Sequence, residues 1–159
     1  MALSALSDEL MRAEGMMMQD QNEEALDLLL RLAEDAEEYV DCNCQTTDEV
    51  QYFAFPTLFD RLAYRRVEND PRKLEDVHEP FDRLYGDLAM AYVRTGDYEN
   101  AMNALKTAIR WNPMNCGFRL DLADLFKIAG DIREQMALTF GVFERASEAR
   151  HLTRAFLNF

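Results

Sequence analysis

A 34-residue internal repetition constrains this chain more than any other feature. "LYGDLAMAYVRTGDYENAM" from Leu84 and "FRLDLADLFKIAGDIREQM" from Phe118 align without a gap. Leu88 falls on Leu122, Ala89 on Ala123, Tyr92 on Phe126, and Gly96-Asp97 on Gly130-Asp131. A fixed period of this length marks a unit that cannot bury its apolar face alone and must stack on its neighbours.

Each copy reads as helix, turn, helix. Over residues 81–94, Tyr85, Leu88, Ala89 and Tyr92 follow the i, i+3, i+4, i+7 spacing of one helical face. Gly96 suits the left-handed conformation that ends a helix, and Asp97 can cap the next one. The second helix carries Ala101, Leu105 and Ala108 inward, and Pro113 stops it. Small residues at Ala89, Ala101, Ala104 and Ala108 predict that its partner helix approaches closely.

The series Tyr85-x2-Leu88-Ala89-x2-Tyr92, then Ala101-x3-Leu105, Ala108 and Pro113, resembles a tetratricopeptide repeat. The family pattern is W-x2-L-G-x2-Y, A-x3-F and a closing Pro at this same period. Tyr stands here for Trp, Ala for Gly and Leu for Phe. The resemblance implies an all-α fold, a right-handed α-solenoid of antiparallel helix pairs. A single domain over 1–159 is expected, with units at about 6–39, 82–115 and 116–149. The 116–149 unit departs in its second helix, where Gln135, Thr139 and Val142 replace Ala101, Leu105 and Ala108. In the 6–39 unit, Ala13, Met16, Asp20, Ala25, Leu29 and Leu32 fall on the pattern.

Residues 40–80 are irregular. Ala25 and Ala101 lie 76 residues apart, two periods plus eight, which predicts one distorted helix pair with an insertion. Thr46-Thr47-Asp48 would cap a helix, Pro56 would kink or restart it, and Leu58, Leu62 and Val67 would continue a helical face. Asp70-Pro71 reads as a cap before a short helix, and Glu79-Pro80 opens the next element. Residues 150–159 fall where a further first helix belongs and predict a truncated repeat, the chain being a piece of a longer protein.

The composition narrows the partners. The net charge is −13, and its whole excess sits in residues 1–80, with 20 acidic and 7 basic side chains. An acidic surface repels phosphate, so neither nucleic acid nor an anionic membrane is expected as a direct partner. It suits solubility or a basic partner. No apolar run is long enough to span a bilayer, and MALSALSDEL lacks the basic start of a signal peptide, so a cytoplasmic protein is expected.

Nothing points to catalysis. Phosphate-loop, G-x-S-x-G, H-E-x-x-H and kinase signatures are absent, and the two histidines, His78 and His151, stand in unrelated contexts. No enzyme and no cofactor are expected. Cys42-Asn43-Cys44 with His78 or Cys116 could hold zinc, but C-x-C is a weak metal spacing and no second pair exists. Reduced thiols are the simpler reading. Met16 is expected in the core, with Met17 and Met18 part-exposed. "YFAFPTLF" from Tyr52 is expected to pack inside the irregular pair, and the Glu34, Asp35, Glu37, Glu38 run to face solvent.

In the family, first helices line a concave groove that holds a partner's peptide or helix. By that resemblance the groove candidates are Arg83, Asp87, Met90 and Arg94, with Asp121, Asp124 and Ile128 (beside Gly117) from the next unit. Met11 and Glu14, flanked by Ser7 and Met18, come from the first unit. Members that grip a carboxylate tail place Lys, Arg and Asn there. Asp87, Asp121 and Asp124 oppose such a tail, since burying like charges together is costly. The expected function is therefore a non-enzymatic scaffold for a neutral or basic protein segment with an apolar anchor. The alternatives are a secretion-type tetratricopeptide chaperone and a cysteine-based metal switch. A homodimer through the C-terminal end or residues 52–59 is also expected, because stacked repeats bury faces that a lone end exposes.

Overall fold

A computed structural model describes residues 3–146 and 148–159 of the chain. Helices α1 (Leu3–Met18) and α2 (Asn22–Asn43) form the first antiparallel pair. After an insert that contains the shorter helix α3 (Leu58–Glu68) come α4 (Phe81–Arg94) with α5 (Tyr98–Trp111), α6 (Cys116–Ile128) with α7 (Ile132–Arg145), and α8 (Ala149–Leu157). Each pair packs on the next, α2 on α4, α5 on α6 and α7 on α8, as an α-solenoid requires.

The turns follow the sequence closely. Gly96 and Gly130 take φ of 85° and 84°, values that cost an L side chain energy. Asp97 and Asp131 cap α5 and α7, accepting from the backbone N–H of Asn100 and Glu134. Asp20 stands at the matching place in the first unit with φ of 62°, so this turn is built without glycine. Its neighbour Gln21 makes no side-chain cap. The first unit is thus the same turn with weaker chemistry, which is why its sequence signal is faint.

The small residues lie where helices meet. Ala89 and Ala91 of α4 and Ala101, Ala104 and Ala108 of α5 are all buried. Phe81, Tyr85 and Trp111 fill the space around them, with the Phe81 and Trp111 rings edge-to-face at 5.2 Å. Gln135, Thr139 and Val142 are also buried in α7, and the Thr139 hydroxyl donates to the Gln135 carbonyl, so the polar replacements remain satisfied. Met17, not Met16, is the buried member of the methionine run, and Met18 is fully turned out.

Residues 40–80 do not form the expected helix pair. The chain there runs strand, helix, strand: β1 (Val50–Phe53), α3 and β2 (Lys73–Asp76). The two strands pair in parallel, Val50 with Lys73 through Phe53 with Asp76. Thr47 accepts from the N–H of Glu49 and Val50, turning the chain into β1 where a helix cap was expected. Asp70 likewise caps no helix. It accepts from the Arg72 guanidinium and the Tyr64 hydroxyl, and Arg72 holds its carboxyl well below the usual carboxylate range. Pro56 precedes Thr57, which caps α3.

The insert has its own small core of Phe53, Phe55, Tyr64, Leu74 and Met114. Tyr64, not the Leu58–Leu62 stripe, is the residue α3 buries, and Leu58, Phe59 and Leu62 face solvent. The stack closes up behind the insert, for α2 lies directly on α4 with no helix pair between them. α2 runs 22 residues where α5 runs 14, which takes up the eight residues by which the Ala25–Ala101 offset exceeds two periods. The insert is tied to the stack by the Ala54 N–H donating to the Trp111 carbonyl at 2.8 Å and by an ion pair between Glu68 and Arg145.

Candidate functional site

The first helices α1, α4 and α6 line one open groove of about 830 Å³. α1 supplies Glu14, Met17 and Met18; α4 supplies Asp82, Arg83, Gly86, Asp87, Met90 and Arg94; α6 and its cap supply Asn115, Phe118 and Asp121. The insert closes one side with Ala54, Phe55, Pro56, Asp76, His78, Glu79 and Pro80. Gly86 lets α6 come close: a Cβ there would lie 2.6 Å from Cε1 of Phe118, so any side chain would displace the ring that forms this wall.

Six of the nine residues expected in the groove line it, namely Glu14, Arg83, Asp87, Met90, Arg94 and Asp121. Met11 and Ile128 are exposed outside its lining. Asp124 is outside it too, because α8 lies over that part of α6 and Arg154 bridges Asp121 and Asp124. Met18 lines the groove, whereas Gly117 sits in a shallower hollow beside α8. The insert wall and Asp82 were outside the expectation. Asp82 carried a readable signal, being a first-turn acid on the same face as Phe81 and Tyr85.

The groove is acidic, with six carboxylates against the guanidiniums of Arg83 and Arg94. Those two cations are held by the α1 wall. Arg83 donates to both Glu14 oxygens at 2.7 Å, and Arg94 donates to the Met17 carbonyl at 3.3 Å. The Arg83 hydrogen bond lowers the Glu14 carboxyl below its ordinary range. Burial, then the neighbouring Glu14, pushes Asp87 up to about 8. Burial also raises Asp82 and Glu79. Asp82 accepts from the Asn112 side chain at 3.2 Å, while Asp87 Oδ2 and Glu79 Oε2 are buried with no hydrogen-bond partner among the described residues.

The thiols do not assemble. Cys42 is exposed, Cys44 is buried beside it, and Cys116 lies in a separate cluster with Leu120, Val142 and Ala155. Among the described residues, no three His, Cys, Asp or Glu side chains are grouped to hold a metal. Likewise no described helix is long and apolar enough to cross a membrane.

Residues 82–115, which span α4, α5 and the Asn112-Pro113 end of the unit, match the family model described as tetratricopeptide repeat. This stretch of the chain is a tetratricopeptide repeat. A search of curated proteins finds no match. The matched unit lies at the centre of the stack, and its first helix, α4, runs along the middle of the groove lining. A repeat of this kind suggests a scaffold for protein–protein interaction.

Proposed function

We propose that this protein holds a helix or extended segment of a partner protein in the groove of α1, α4 and α6. The partner is neutral to basic and carries an apolar anchor. One observation carries the reading: the groove is open, apolar along Met18, Met90, Phe55 and Phe118, and lined by six carboxylates against two guanidiniums that the α1 wall already holds. Apolar surface left exposed inside a concave, charged frame is the usual signature of a partner site.

A photo-crosslinker tests it. Benzoylphenylalanine at position 90, half-exposed in the groove, is expected to yield discrete adducts in cells, while the same group at exposed position 24 on α2 yields none. Equal labelling from both positions, with both variants folded by circular dichroism, contradicts the assignment.

A homodimer is a second and compatible reading, favoured at the C-terminal end. Phe140, Phe156, Leu157 and Phe159 are exposed there around stacked Phe143, a larger apolar face than Leu58 and Phe59 offer in the 52–59 segment. Light scattering at high concentration is expected to show a dimer that Phe156→Glu dissociates. A clean wild-type monomer removes this reading.

A further inference from the structure

We propose that the outer face of α3 is a second docking surface, for an acidic segment of a partner protein that carries apolar anchors beside its carboxylates. It lies on the insert and stands apart from the groove, whose charge preference is the opposite.

The face follows from the helical wheel. Leu58, Leu62 and Arg65 take the i, i+4, i+7 places along α3, with Phe59 and Arg66 one position on. All five are exposed, Leu58, Phe59 and Leu62 by 71 %, 62 % and 59 %. The fold does not anchor α3 through them. It holds the helix from the other side, where Tyr64 packs on Phe53 and Phe55 and donates its hydroxyl to Asp70. A single exposed apolar residue is ordinary, but three in successive turns of one helix face form a patch of the kind that marks a contact surface.

Charge selects the occupant. Residues 1–80 hold 20 acidic side chains and 7 basic ones, and α3 alone carries three of the seven, Arg61, Arg65 and Arg66. Of its two acids, Asp60 is turned back onto the Thr57 cap and Glu68 is paired with Arg145. Arg61 donates to the Leu74 carbonyl. Arg65 and Arg66 make no ion pair among the described residues. The exposed face is therefore apolar at its start and positive at its end, within the acidic half of the chain. Complementing a helix C-terminus explains basic residues in a last turn, but not the apolar side chains that share their face. An acidic amphipathic segment answers both parts. A segment about as long as α3 meets chiefly the charges beside it, since those beyond roughly 8 Å are screened at physiological salt. An anionic membrane is a plane, and brings the acidic remainder of that half into range as well.

The test uses two end-capped helical peptides of leucine and alanine, one with two glutamates and one with glutamines in their place. Calorimetric titration of the full chain is expected to show the glutamate peptide binding about tenfold more tightly, the size of two exposed ion pairs. Amide shifts in the labelled protein are expected to be confined to α3. The Arg65→Gln, Arg66→Gln double variant is expected to bring the ratio near one and leave glutamine-peptide affinity unchanged. Leu62→Asp is expected to abolish binding of both, and equal helicity by circular dichroism shows that these exposed substitutions keep the fold. Each of the following overturns the proposal. Equal binding of the two peptides, or a preference that survives the double variant, removes the charge recognition. Shifts centred on α4 place the peptide in the groove and leave α3 unoccupied. Binding to vesicles of phosphatidylcholine and phosphatidylserine, but to neither peptide, makes the face a membrane contact. A dimer that Leu62→Asp dissociates, again without peptide binding, makes it an interface between copies. No binding of either peptide at millimolar concentration removes the surface outright.

Discussion

Trp111→Ala is expected to destabilise the protein by about 4 kcal/mol, since truncating a buried Trp loses both transfer energy and packing. Trp111 is 4 % exposed at the end of α5, edge-on to Phe81 at the start of α4 and under the Arg110 guanidinium at 4.3 Å. It thus closes the α4–α5 pair at one end, and its carbonyl receives the Ala54 N–H from the insert. For a domain of this size a loss of about 4 kcal/mol lowers the melting temperature by roughly 10 °C. Thermal unfolding by circular dichroism measures it, and amide exchange at Ala54 is expected to accelerate in the variant. A loss below about 1 kcal/mol would show that the pair and the insert are held by other contacts.

The second large effect is one of pH. Asp87 has an ordinary carboxyl value of about 3.9 in the unfolded chain and about 8 in the folded one. A carboxyl raised by folding binds its proton more tightly in the native state. Its contribution to stability is therefore complete below pH 4 and is lost as pH rises toward 8. Glu14 has the opposite sign: lowered by Arg83, it stabilises above the usual carboxylate range and loses that contribution only on acidification. Asp82 and Glu79, also raised by burial, share the sign of Asp87, so its own part in the window above pH 4 is read from the difference between wild type and variant. Asp87→Asn keeps the shape without the ionisation, and is expected to raise stability by about 2 kcal/mol at pH 7.5. Solvent reaching the part-buried side chain screens the charge, which keeps the gain well below the full 1.36 kcal/mol per pKa unit. The gain should vanish at pH 4. Urea unfolding of both proteins across that range decides it, and parallel curves would mean that Asp87 ionises freely in the fold.

The α4–α7 repeats were legible because a few positions do most of the specifying. Gly96 and Gly130 require the left-handed turn, Asp97 and Asp131 cap the second helix of each pair, and the alanine stripe admits that helix at close range. Each is a local cue, and local cues repeat at a fixed period. The insert had no such help. β1 and β2 are four residues each, and their pairing joins positions 23 apart that no periodicity relates. The stripe at Leu58 and Leu62 was a true helical face, but it looks outward, because Tyr64 provides the better anchor among Phe53 and Phe55. The groove was legible to the same degree as the helices that form it. Its α4 residues follow from the wheel, whereas the wall of Phe55, Pro56, His78 and Glu79 depends on the insert. Asp124 was displaced from the expected surface by Arg154, a contact between units that a single-unit pattern does not contain.

The strand–helix–strand insert also bears on mechanics. In a plain repeat array each junction between neighbouring pairs bends independently, so a groove crossing several junctions widens and narrows with every thermal fluctuation. Here one appended body is fastened to α5 through Ala54 and Trp111 and to α7 through Glu68 and Arg145. Two points of attachment on successive pairs make a strut. Flexing at the α5–α6 junction must strain that strut, and the groove wall is part of the same body. The stiffness of the recognition surface is thereby set by the segment that interrupts the repeats.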